Sequence, residues 1–158
     1  MSGLLSGAMI VPPTANELLA DAALVGGMRQ AFVESNVGEA NAIEQGGFIV
    51  RDPLDGTLVV IRLPAAACDS LSYPICADGT YEGREIVGSF HTHPNTGPEW
   101  QQDPSPQDIR LSQDYPETMG PHQFVIARDV IYHIDNNGVV TGMGGTPQLL
   151  GIDGDDST

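Results

Sequence analysis

From Asn16 to Glu34 the apolar residues Leu18, Leu19, Ala22, Leu24, Val25, Met28, Ala31 and Phe32 recur at roughly helical spacing, which predicts one amphipathic helix. Thr14 and Asn16 both suit its N-cap, and Glu17 supplies an acid in the first turn. Gly26 and Gly27 interrupt the pattern, as where another element approaches closely. Next, the apolar run Gly46 to Val50, the turn cluster Asp52 to Gly56 and the run Thr57 to Leu63 read as strand, turn, strand. Residues 64–84 carry recurring Pro, Asp, Ser and Gly and read as loop. Glu85 to His93 is another strand, stopped by Pro94, which has no N–H to give. Asn95 to Pro104 is a polar loop carrying the single tryptophan, Trp100. Ser105-Pro-Gln-Asp108 opens a helix that runs to about Tyr115, with Ser at the N-cap, Pro at N1 and an acid at N3. Gln123 to Ala127, Val130 to Ile134 and Val139 to Thr141 are strands, the last two joined by the turn Asp135 to Gly138. These elements predict an α+β fold, a single domain with one mixed β-sheet flanked by helices.

Composition narrows the function classes. The chain has 158 residues, 41% hydrophobic and 17% charged, a globular balance long enough for one core. Twenty-one acidic residues face six basic ones, all arginine, for a net charge of −15. Such a surface repels phosphate backbones and disfavours nucleic acid, while it favours a basic protein partner. No stretch approaches the roughly 20 apolar residues of a membrane span. No Lys or Arg precedes the apolar start at Met1 to Pro13, so it does not read as a secretory leader and a cytoplasmic location is expected. Cys68 and Cys76 do not form a Cys-x-x-Cys pair and are expected to be reduced and packed. The acidic end, residues 151–158, reads as a flexible tail to a domain spanning 1–150.

The candidate chemistry begins with His91 and His93. Residues i and i+2 of a strand share a face, so two imidazoles project side by side from one strand end. Neutral imidazole nitrogens are good zinc ligands, but a His-x-His pair alone also occurs at surfaces that hold no metal. Asp108 adds a carboxylate, and three protein ligands leave one tetrahedral position open, as in catalytic zinc sites. Ser105 and Asp108 taken alone are an ordinary helix capping box, and both roles are compatible. Zinc lowers the pKa of the water it binds from about 15.7 to about 7. A hydrolase also needs a group to carry that proton to the leaving amine. Glu44, just before the glycines of the first strand, is the best placed, with Glu34 and Glu39 as rivals.

In order along the chain, Glu44-Gln-Gly-Gly, His91-Thr-His93-Pro94 and Ser105-Pro-Gln-Asp108 resemble the signature of the JAMM (JAB/MPN) metalloproteases: Glu, His-x-His-Pro, Ser-x-x-Asp. Gly-Gly-Phe-Ile-x-Arg with Gly-Ser-Phe-His-Thr-His-Pro is similar to the compact bacterial JAB-like branch. The resemblance implies a JAB/MPN-like, cytidine-deaminase-like domain and a zinc-dependent hydrolase of peptide or isopeptide bonds. It implies Zn2+ on His91, His93 and Asp108, Glu44 as general acid/base and Ser105 as donor to the oxyanion. It implies a protein substrate, such as a ubiquitin-like protein whose basic C-terminal tail would suit this acidic chain. Eleven residues separate His93 from Ser105, more than is usual in that family, and the extra length around Trp100 reads as an insertion that lines the cleft, with Trp100 either covering the core or touching substrate. Asp103 is an alternative ligand but lacks a serine three residues before it. His122 and His133 are read as structural or exposed. Two other functions fit less of the pattern: a non-catalytic MPN-like scaffold, and a peptidase acting on short cell-wall or phage-related peptides.

Overall fold

The computed structural model describes residues 13–64, 73–94, 96 and 102–152. The predicted first helix is two helices, α1 (Ala15–Ala20) and α2 (Ala22–Glu34). Thr14 and Glu17 form a complete capping box on α1. Asp21 then leaves helical geometry, and its side chain accepts the Leu24 N–H to cap α2. The apolar spacing continues across Asp21, which is why periodicity alone joins the two. Gly27 sits where α2 meets the sheet, since a Cβ there would lie 2.8 Å from the Val60 Cβ.

Among the described residues seven strands form one open sheet in the order β2-β1-β4-β5-β6-β7, with β3 added beside the first part of β4. They are β1 (Gly46–Arg51), β2 (Leu58–Arg62), β3 (Thr80–Tyr81), β4 (Arg84–Thr92), β5 (Gln123–Ile126), β6 (Val130–Ile134) and β7 (Val140–Gly145). Every pairing is antiparallel except β4 with β5. That parallel step needs a crossover, and the crossover contains α3 (Pro106–Asp114) and α4 (Pro116–Met119). A last helix, α5 (Thr146–Leu150), follows β7. Neither α4 nor α5 was predicted: four and five residues are too short to establish a helical period, and Pro116 and Pro147 mark their starts.

The two sheet faces carry different cores. On one, Ile49, Phe90, Phe124, Ile126 and Ile131 pack against Leu18, Leu24, Met28 and Leu150 of the helices. On the other, Phe48, Val50 and Ile86 pack with Leu63, Cys76, Tyr73 and Tyr81. Phe48 pairs with Ser89, and Gly46 pairs with His91, so Ser89 and His91 belong to this second face. α3 is tied to it through Gln123, whose side-chain amide donates to the Asp108 carbonyl (2.9 Å) and to Ser112 Oγ (2.6 Å). The end of β4 thus meets the start of α3 on one face. Cys76 is a buried free thiol, and Cys68 lies outside the described residues, as do Trp100 and most of the predicted acidic tail. No helix among the described residues is long and apolar enough to cross a membrane.

Candidate metal centre

His91 lies in β4, and His93 follows it in extended chain, its N–H bonded to the Ile126 carbonyl at 2.9 Å. β4 itself stops at Thr92, one residue short of the predicted end, and Pro94 follows. The capping box of α3 is present in both directions: the Asp108 N–H donates to Ser105 Oγ (3.1 Å), and the Ser105 N–H donates to Asp108 Oδ2 (2.9 Å). This cap aims the Asp108 carboxylate at the strand end. Its Oδ1 lies 3.2 Å from His91 Nε2, and its Oδ2 lies 3.2 Å from His93 Nε2. One ligand atom from each of the three side chains falls within 4.8 Å of the other two. Glu44 also reaches the site, with Oε2 3.8 Å from His91 Nε2. His91, Glu44 and Asp108 are all buried, and His93 is partly so.

The hydrogen-bond inventory argues for a cation at this point. His93 Nδ1 is 3.0 Å from the Gln102 carbonyl, which can only accept, so Nδ1 carries the proton. In neutral His93 the lone pair is then on Nε2 and faces the Asp108 carboxylate. Two acceptors at 3.2 Å repel unless a proton or a metal ion lies between them. His91 poses the same problem, since its buried ring nitrogens make no aligned hydrogen bond among the described residues. A carbonyl on the far nitrogen is the usual device that orients a metal-ligating imidazole. The donor set therefore fits a divalent metal ion, and His91, His93 and Asp108 form a possible metal-binding triad.

Without a metal, protons answer the same charge. Burial opposes protonation of His91, yet the Asp108 carboxylate and then Glu44 outweigh it and raise its pKa above the usual imidazole value. Burial likewise works against ionised Asp108, but the His91 and His93 imidazoles beside it and the Ser105 N–H hold its pKa far below the carboxylate range. Tyr73 feels the same negative field. Burial, then Glu44, then Asp108 push its phenol well above its ordinary value, and its hydroxyl donates to the Phe90 carbonyl at 2.7 Å.

Five sequence-predicted residues, Glu44, His91, His93, Ser105 and Asp108, meet at this one place. Of the rivals to Glu44, Glu34 pairs instead with Arg62 at 2.8 Å, on the other sheet face. Asp103 is exposed and outside the triad. Gln102 and Gln123, which hold His93 and α3, were missed. A backbone carbonyl and a strand-buried amide leave no sequence signal. His122 and His133, expected to be structural or exposed, form a partly buried pair, with Nδ1 of the first 2.8 Å from Nε2 of the second.

No protein-family model matches the chain, and no curated protein matches it.

Proposed function

We propose that this protein is a JAMM-type zinc hydrolase that cleaves peptide or isopeptide bonds, processing or deconjugating a ubiquitin-like protein. The observation that carries this reading is the convergence of His91 Nε2, His93 Nε2 and both Asp108 oxygens, with Glu44 beside them but outside the triad. Two imidazoles and one carboxylate are a ligand set typical of catalytic zinc. Each Asp108 oxygen stands 3.2 Å from one imidazole nitrogen, and one ligand atom from each residue lies within 4.8 Å of the other two, a spacing compatible with a single ion. The ordered resemblance from Glu44 to Asp108 supplies the reaction class.

In this reading His91, His93 and Asp108 would hold the ion, which when bound supplies Lewis-acid polarisation of water and of the scissile carbonyl. Glu44 takes a proton from the attacking water and delivers it to the leaving nitrogen. Its carboxylate suits that task because it is sheltered at the strand end and left out of the ligand set. Ser105 Oγ accepts the Asp108 N–H with a lone pair, so its own hydrogen is available to donate to the oxyanion that develops at the carbonyl. The Gln102 carbonyl keeps the His93 ring turned with Nε2 inward. The net charge of −15 favours a basic substrate tail.

The test is metal analysis together with a panel of ubiquitin-like fusions, comparing wild type with Glu44→Gln. Bound zinc in both, and cleavage by wild type alone, supports the proposal. Bound zinc with no cleavage of any fusion by wild type would instead favour a docking scaffold.

A further inference from the structure

Thr92 stands between the two histidines, and strand alternation turns its side chain to the opposite face of the sheet. It is fully buried, and a buried hydroxyl needs partners. Its Oγ1 lies 3.0 Å from the Gln45 N–H and 2.6 Å from Ser35 Oγ, and Ser35 Oγ lies 2.9 Å from the Ala31 carbonyl. Only one proton arrangement satisfies all of these atoms. The Ala31 carbonyl can only accept, so Ser35 spends its hydrogen there. Ser35 Oγ must then accept from Thr92, and Thr92 accepts from Gln45. The result is a one-way chain from the Gln45 N–H through Thr92 and Ser35 to the end of α2.

Thr92 grips Gln45 a second time, through its own N–H to the Gln45 carbonyl at 2.8 Å. On the other side of Glu44, the Ile43 N–H donates to the Ser35 carbonyl at 2.9 Å. Glu44 is therefore flanked by two residues whose backbones are tied to Thr92 and Ser35. We infer that Thr92 is a positioning residue: its hydroxyl, acting through Gln45, sets the Glu44 carboxylate at its 3.8 Å approach to His91. One strand tip then organises both halves of the site: the histidines project from one face, and Thr92, turned to the other face, holds the backbone that carries Glu44. This inference rests on the reading of Glu44 as the proton carrier.

The experiment compares wild type, Thr92→Val and Thr92→Ser in the zinc-loaded protein. Zinc affinity, Gln45 amide exchange, and kcat and KM on a cleaved ubiquitin-like fusion are measured for each. Thr92→Val is expected to keep zinc affinity within about threefold while kcat falls about 10- to 100-fold with little change in KM, because a misplacement of about 1 Å has that cost. Its Gln45 amide should exchange about tenfold faster or more, once the N–H loses its partner. Thr92→Ser, which restores the hydroxyl, should return both readouts close to wild type. Equal loss in the Ser and Val variants, loss of zinc in step with kcat, or unchanged exchange at Gln45 overturns the inference. If wild type cleaves nothing, the hydrolase reading fails on its own. Exchange, and the Glu44 position in a crystal structure of Thr92→Val, then judge the clamp: a carboxylate still at its wild-type distance from His91 overturns it.

Discussion

Glu44 Oε2 stands 3.8 Å from His91 Nε2, yet Glu44 is not one of the three residues whose ligand atoms converge. A side chain beside the centre but outside its ligand set should separate binding from turnover. Glu44→Gln is therefore expected to retain zinc and lower kcat by roughly 10²- to 10⁴-fold, the usual worth of a general acid/base. Steady-state kinetics with bound-zinc analysis check this. Loss of zinc along with turnover would make Glu44 a ligand instead.

The His122–His133 pair gives a stability prediction of definite sign. Burial lowers the pKa of His122, and burial followed by the His122 charge lowers that of His133. Both are thus neutral in the fold at pH values where the unfolded chain begins to take up protons. Their contribution is complete above the unfolded pKa of about 6.5 and is lost as pH falls through it toward the lowered values, by at most about 1.4 kcal/mol per pH unit for each proton. His91 acts oppositely in the metal-free protein. Its raised pKa adds stability that is present below about 6.5 and lost as pH rises through the raised value. Comparison with His133→Gln, which keeps a donor for His122, cancels the His91 contribution. Urea midpoints measured at about pH 7.5 and about pH 5.5 should fall less in the variant than in wild type. An equal fall would remove the pair from the account.

Gly47 tests the packing that supports the site. A Cβ there would run into the Ile61 carbonyl oxygen of β2 and stand 3.0 Å from the Arg62 Cα. Because the obstacle is backbone, Gly47→Ala should cost about 1–3 kcal/mol, the range for overpacking. Urea denaturation measures it, and an unchanged midpoint would contradict the close approach of β1 and β2.

Much of this was written in the sequence wherever the signal is local. The two-residue period puts His91 and His93 on one face, and Ser105-Pro-Gln-Asp108 announces both its helix and the direction of its acid. Hairpin turns at Asp52 to Gly56 and Asp135 to Gly138 gave the strands on either side of them. What escaped is non-local or very short. Asp21 splits a continuous apolar stripe by capping, which periodicity does not register. Thr92 reads as a spacer between ligands until Ser35, 57 residues away, is seen against it. The parallel pairing of β4 with β5 depends on a crossover that no strand pattern encodes.

His91, His93 and Asp108 should bind one metal ion together, and equilibrium dialysis against zinc shows whether they do. Wild type should hold one zinc per chain, while His91→Ala, His93→Ala and Asp108→Asn should each bind far more weakly, since each removes one of three ligands. A wild type that retains no zinc, or variants that retain as much as wild type, would contradict the account.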